Sequence, residues 1–231
     1  MDQPRPDPER LAESLADLAW YNRYLGGTAT VVHQVRRLLE PKRPARVRVV
    51  DVGAGGGDVL RSLAVWCAER SIGFEGVGLD RGRLTLRIGA ETTVASSESG
   101  EKIRFVGGDA RHLPFGERAF EVAISSTVLH HLETGEAVDA LLEMARVSRW
   151  GIVVTDLRRC LPGYLGAQLL ARTVWRGHRY SRHDGPASVR AAFDLTEVRE
   201  LAARAGLDAE VEPQPFFRWA LRWERGPDDR A

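Results

Sequence analysis

Residues 49–60 read VVDVGAGGGDVL. A β-branched run carries an acid, Asp51, and then meets Gly53, Gly55, Gly56 and Gly57. Val59, Leu60, Leu63 and Cys67 follow at helical spacing. A chain of this kind leaves a strand, turns within a few residues and enters a helix. Glycine permits backbone conformations that a side chain would forbid, and it lets other atoms approach the main chain closely. The following sequence repeats the unit. Strands over 47–52, 74–80, 102–109, 120–126 and 149–157 alternate with helices from Val59, over 83–96 and over 136–147. Such alternation builds a parallel sheet covered by helices on both faces.

The flanks complete an α/β reading. Leu11, Leu15 and Leu18 form a helical stripe, and Val31, Val35 and Leu38 form a second one, stopped by Pro41 and Pro44. Residues 1–44 are therefore read as a polar tail and a helical cap, and 45–231 as the main domain. Residues 158–193 are rich in Arg and aromatics, with one helix expected near 165–175; they read as a lid or substrate wall. Asp194 and Glu197 make a capping box for a helix ending at Gly206. Strands at 209–212 and 217–223 close the chain as a hairpin. In the last one Phe217, Trp219, Leu221 and Trp223 are expected to face inward, with Arg218 and Arg222 outward.

The totals exclude several classes. The net charge is +1, so no global positive field draws nucleic acid. No apolar run reaches the roughly 18 residues that a membrane span needs. The polar, Pro-rich start MDQPRPDPER is not a signal peptide, and two isolated cysteines give no disulfide framework. The expected setting is the cytoplasm, without nucleic acid or membrane as partner.

What the glycine turn holds follows from its acids. A dinucleotide turn needs a third glycine where Asp58 stands, and Asp58 with Asp51 would repel a pyrophosphate. No G-K-[ST] follows, so the turn is not a P-loop either. A cationic nucleoside reverses the sign. S-adenosyl-L-methionine carries an ammonium and a sulfonium, which Asp51 can attract. Asp80 ends the second strand and can accept both ribose hydroxyls. Asp109 ends the third, where it can take an adenine amino group while the Ala110 amide reaches a ring nitrogen.

With DVGAGGG, GVGLD, GGDARHLPF and FEVAISSTVLHHL, the chain resembles the class I S-adenosylmethionine-dependent methyltransferases, strongly over 46–157. The resemblance implies a Rossmann-like, doubly wound, seven-stranded, mostly parallel sheet with an antiparallel last strand. It implies that Asp51, Gly53, Ala54 and Gly55 line the methionine end, that Asp80 with Arg81 lies at the ribose, and that Asp109 and Ala110 lie at the adenine. Ser125 or Ser126 would then lie beside the cofactor. The HHL of VLHHL resembles the branch acting on quinones and other small molecules. Glu121 stands where the family often has Asp.

Methyl transfer needs alignment, dryness and, for a hydroxyl acceptor, a base. His130, His131 and His183 are the candidates, with Asp184 beside the last. Arg159 or Arg182 is a candidate for an acidic acceptor; Tyr164, Trp175 and Tyr180 for a flat ring. Tyr21, Arg23 or Tyr24 of the cap is a candidate for the cofactor carboxylate. No N/D-P-P-aromatic turn follows the fourth strand, which disfavours base methylation, and no metal-ligand set is apparent. The expectation is a small-molecule methyltransferase, an O-methyltransferase of an aromatic, polyketide-like or quinone-like acceptor. C-methylation, a non-catalytic cofactor-binding subunit and, third, an oxidoreductase remain open. Both monomer and homodimer remain open, since the apolar last strand suits a dimer or a core.

Overall fold

The computed structural model describes residues 7–96, 102–173 and 179–226. Two helices, α1 (Pro8–Tyr24) and α2 (Gly27–Leu39), precede β1 (Arg46–Val52). Strands and helices then alternate: α3 (Asp58–Ala68), β2 (Gly73–Asp80), α4 (Arg83–Ser96), β3 (Lys102–Gly107), β4 (Phe120–Ser126), α5 (Thr134–Val147) and β5 (Ser148–Leu157). A short 3-10 turn, Leu129–His131, lies between β4 and α5. Helices α6 (Leu161–Arg172), α7 (Arg179–Ala191) and α8 (Leu195–Arg204) lead to β6 (Glu210–Gln214) and β7 (Arg218–Glu224).

The seven strands run in the order β3-β2-β1-β4-β5-β7-β6. The first five are parallel; β7 is antiparallel to both β5 and β6. β1 and β4 are covered on both faces, which is why residues 49–52 and 120–126 are buried without alternation. On one face Val31, Leu38, Leu60 and Leu63 pack on Val49, Ile124 and Val153. On the other Leu141, Met144 and Leu201 pack on Val52, Ile152 and Trp219. The chain winds outward from β1 to β3, then crosses back to β4. The loops after β1 and β4 therefore diverge and open a crevice at the strands' C-terminal ends.

Three expectations change. The insertion holds two helices rather than one. Pro162 sits in the first turn of α6, where its missing N–H is harmless, so that helix starts earlier than expected. The second, α7, runs through Gly185-Pro186, and its Val189 packs on Ala167 and Ala171 of α6. Trp175 and Arg176 lie outside the described residues. Within 217–223, Trp219, Leu221 and Trp223 are buried as expected, but Phe217 is 41% exposed and Arg218 only 5%. Phe217 belongs to the turn, with φ 54°, and β7 is an interior strand whose two faces are both covered. The apolar face of β7 is thus core rather than a dimer surface. Among the described residues, no helix is long and apolar enough to cross a membrane.

Candidate active site

The glycine turn follows β1 at the crevice. Gly53 has φ 79° and Gly57 φ 75°. A side chain at Gly53 would run into Val128, and one at Gly57 would come within 2.7 Å of Phe105. Only glycine meets both demands at once. The amides of Gly53 and Ala54 donate to the Leu79 carbonyl at 2.8 and 3.0 Å, which clamps the turn onto β2. α1 lies over it, with Leu15 Cδ2 3.7 Å from where a Gly55 Cβ would stand.

Asp51, Asp58 and Asp80 surround this turn. Asp51 is 2% exposed, and its Oδ1 is buried without a hydrogen-bond partner. Burial pushes its carboxyl well above the usual range, and the charges of Asp58 and Asp80 push the same way. Burial also raises Asp58, against the opposing Asn22 hydrogen bond (3.3 Å) and Arg61 charge. Asp80 accepts from the Gly55 amide at 3.1 Å and the Gly82 amide at 2.8 Å, tying both loops together. Two carboxylate oxygens offer about four acceptor sites. Asp80 therefore retains capacity for a ligand's hydroxyls. An uncompensated buried carboxylate is costly unless it is protonated or met by a cation. The donor set fits an ammonium or sulfonium and opposes a pyrophosphate.

The other expected residues divide. The Asp109 carboxylate is taken by Arg111, at 2.9 Å from Nε and 2.6 Å from Nη2, and this pairing holds it far below the usual range. Arg81 Nη2 lies 4.0 Å from the same carboxylate. Ala110 is buried beside it. Ser125 donates to the Val52 carbonyl at 2.8 Å, and Ser126 accepts from Thr155 at 3.2 Å. Both hydroxyls therefore stitch strands together. Glu121 is bound by Arg48 through the backbone amide (2.8 Å) and the guanidinium (3.1 Å), far from the crevice.

In the cap, Arg23 is exposed and lies over the Tyr24 ring, 5.9 Å from its centroid. Helical rotation turns Asn22 inward instead, 3% exposed and bonded to Asp58. Tyr21 packs toward α6 and α7, together with Tyr164 and Leu157. Arg159 is half-exposed and pairs with Glu197 and Asp194 on the surface. His183 lies on α7; its side chain, like those of Tyr180 and Arg182, is outside the described residues.

His130 has a defined setting. Its Nδ1 lies 2.7 Å from Asp156 Oδ1, and its amide donates to Oδ2 at 3.1 Å. Burial alone would raise Asp156. The charge and hydrogen bond of His130, with the amides of Leu157 and His130, outweigh it and hold the carboxyl below the usual range. An ionised carboxylate only accepts, so Nδ1 carries a proton, and in the neutral ring Nε2 is then the acceptor. His131 is exposed, with its ring centroid 4.0 Å from that of His130.

Sequence reasoning missed Asn22, Asp156 and Arg218. Two signals were available. Asn22 falls on the same stripe as Leu11, Leu15 and Leu18, and Asp156 is an acid near the end of the fifth strand, as Asp51 and Asp80 are of the first and second. A cavity of about 470 Å³ lined by Lys42, Arg118, Arg149, Trp150 and Arg225 lies at the opposite edge of the sheet, away from these acids.

Residues 49–151 match the model of a family described as a methyltransferase domain. The chain is 30% identical over 125 residues to a demethylmenaquinone methyltransferase of Roseiflexus sp. (strain RS-1), covering 52% of this chain and 45% of the relative. It is 26% identical over 161 residues to a ubiquinone biosynthesis O-methyltransferase of Aliivibrio fischeri (strain MJ11), covering 66% and 64%. The chain thus spans about half to two thirds of these relatives' lengths. Its fold is similar to that of magnesium protoporphyrin IX methyltransferase from Synechocystis PCC 6803, solved with bound S-adenosylhomocysteine, at a TM-score of 0.60 and 18% identity over 87% of this chain and 84% of that one. The domain matched over residues 49–151, the strand order and the acids at the strand ends are together similar to those of the class I S-adenosylmethionine-dependent methyltransferases.

Proposed function

We propose that the chain methylates a small molecule, on oxygen, with an aromatic, polyketide-like or quinone-like compound as acceptor. One observation carries the reading: Asp51 is buried, its Oδ1 without a partner, among like charges beside a glycine turn at the ends of the strands. A cationic cofactor relieves that arrangement. S-adenosylmethionine, when bound, supplies a methyl carbon already activated by its sulfonium. In this reading Asp51 and Gly53–Gly55 hold the methionine end, Asp80 with Arg81 the ribose, and Asp109 with Ala110 the adenine. Asp109 reaches the adenine only with the capacity that Arg111 leaves it.

His130 Nε2 takes the acceptor's proton, and Asp156 fixes the tautomer that makes this possible. His183 is retained as a second candidate base. α1, α6 and α7 cover the crevice and exclude water. The names of the two curated relatives support a quinone-like ring. The proposed setting is cytoplasmic, as a monomer or homodimer.

The test is incubation with S-adenosylmethionine and a panel of phenols, hydroquinones and hydroxybenzoates, followed by mass spectrometry of the products. Methyl ethers are expected. Products methylated on ring carbon would move the reading to C-methylation. Tight S-adenosylhomocysteine binding with no product from any acceptor would favour the non-catalytic subunit.

A further inference from the structure

Arg218 is 5% exposed, the first residue of β7, and pairs in register with Leu157 at the tip of β5. Its guanidinium lies under the junction of α1 and α2. Nη2 is 3.1 Å from where a Gly27 Cβ would stand and makes one long hydrogen bond, 3.4 Å, to Asn22 Oδ1. Nη1 is buried with no partner. Partly buried arginines elsewhere in this protein spend more of their donors. Arg146 bonds the carbonyls of Phe115 and Leu113 and the Glu143 carboxylate; Arg225 bonds the carbonyls of Ala145 and Ser148. An arginine kept only to hold elements together would be expected to do the same.

The surroundings add a second observation. α2, 13 residues long, starts at Gly27 with Gly26 as N-cap, and no side chain caps it. Its first amides and its dipole point positive charge at the same place as Arg218. Asp156 acts on Arg218 only through space. Its oxygens already accept from the His130 ring, the His130 amide and the Leu157 amide.

We propose that Arg218 and the N-terminus of α2 bind a carboxylate of the acceptor, making a hydroxybenzoate-like acid the substrate class. The inference rests on the methyltransferase reading for the identity of the ligand as an acceptor. Arg218 and Asp156 stand one residue apart across the β5–β7 pair, so the anion site and the proposed base share one strand tip. A single negative charge balances the guanidinium. A phosphate's second charge would face Asp156 without compensation. The cation that sequence reasoning sought in Arg159 or Arg182 is thus supplied from inside the sheet.

The experiment is calorimetric titration of benzoate, with benzyl alcohol as the uncharged control, into the full chain saturated with S-adenosylhomocysteine. Saturable benzoate binding at least tenfold tighter than benzyl alcohol is expected. Arg218→Met should abolish the preference and leave S-adenosylhomocysteine affinity within twofold. Arg218→Lys, which keeps the charge without the fork, should retain a preference three- to tenfold weaker and serves if the Met variant does not fold. No saturable benzoate binding, or equal binding of both probes, overturns the proposal. So does benzoate competing with S-adenosylhomocysteine, or a tenfold loss of that ligand in Arg218→Met, since the carboxylate would then be the cofactor's own. If S-adenosylhomocysteine does not bind the unaltered protein, the methyltransferase reading fails, and benzoate titrated into the protein alone still decides the anion site.

Discussion

At the edge where the parallel strands begin, Glu121 is bound by Arg48 and Glu143 by Arg146. At the edge where they end, Asp51 keeps a buried oxygen without a partner and shares its surroundings with Asp58 and Asp80. Both edges use carboxylates, with opposite electrostatic results. For Glu121, burial alone would raise the carboxyl, but Arg48 outweighs it and holds the group below its usual range. Arg146 does the same for Glu143. For Asp51, burial and like charges all push upward. Carboxylates that serve the fold have been given cations. Asp51, beside the glycine turn, has been left to find one from outside, which marks the functional edge.

The largest expected effect lies at the functional edge. His130→Gln removes the base that Asp156 orients, so turnover of a hydroxyl acceptor should fall by about 10²–10⁴-fold. Affinity for S-adenosylhomocysteine, measured by calorimetry, should stay within about twofold. An unchanged rate would remove His130 from the chemistry and move attention to His183.

A smaller contrast sets one acid from each edge against the other. Asp80→Ala removes a charge-assisted grip and the tie between Gly55 and Gly82, so cofactor binding should weaken by about 1–3 kcal/mol. Glu121→Gln should leave cofactor affinity unaltered and lower stability by about 1 kcal/mol. The sign of its pH dependence follows from its lowered carboxyl. Its stabilisation is present above the ordinary glutamate pKa and fades as pH falls through and below that value. The Glu121→Gln penalty in thermal melts should therefore shrink in acid. If Glu121→Gln weakened the cofactor as much as Asp80→Ala, the division between the two edges would not hold.

How much of this was legible depended on the range of the interaction. The glycine turn and Asp51, Asp80 and the capping box of Asp194 with Glu197 are encoded within a few residues, and short-range physics reads them directly. The His130–Asp156 pair joins residues 26 apart, and the Asn22–Arg218 contact joins residues 196 apart; only the closed sheet brings them together. Arg218 was read as outward because alternation suits a half-exposed strand, whereas β7 lies between β5 and β6. One helix was expected in the insertion near 165–175; a second, α7, forms as well because Val189 packs on Ala167 and Ala171, a contact that local propensity does not register. Asp109 was read as the end of the third strand, whereas β3 stops at Gly107 and Asp109 lies two residues beyond it. Its engagement by Arg111, two residues on, went unweighed.

The central claim is that Asp51 is held in a state that only a cation relieves. Its raised carboxyl destabilises the ligand-free fold progressively as pH climbs from the ordinary aspartate value through the shifted one. The direct measurement is calorimetric titration of the unaltered protein and Asp51→Asn with S-adenosylmethionine at a series of pH values rising from the ordinary aspartate range. The account predicts an affinity of the unaltered protein that rises with pH, and binding at least about tenfold weaker and without that rise in Asp51→Asn. Equal affinity in the two proteins at every pH would contradict it.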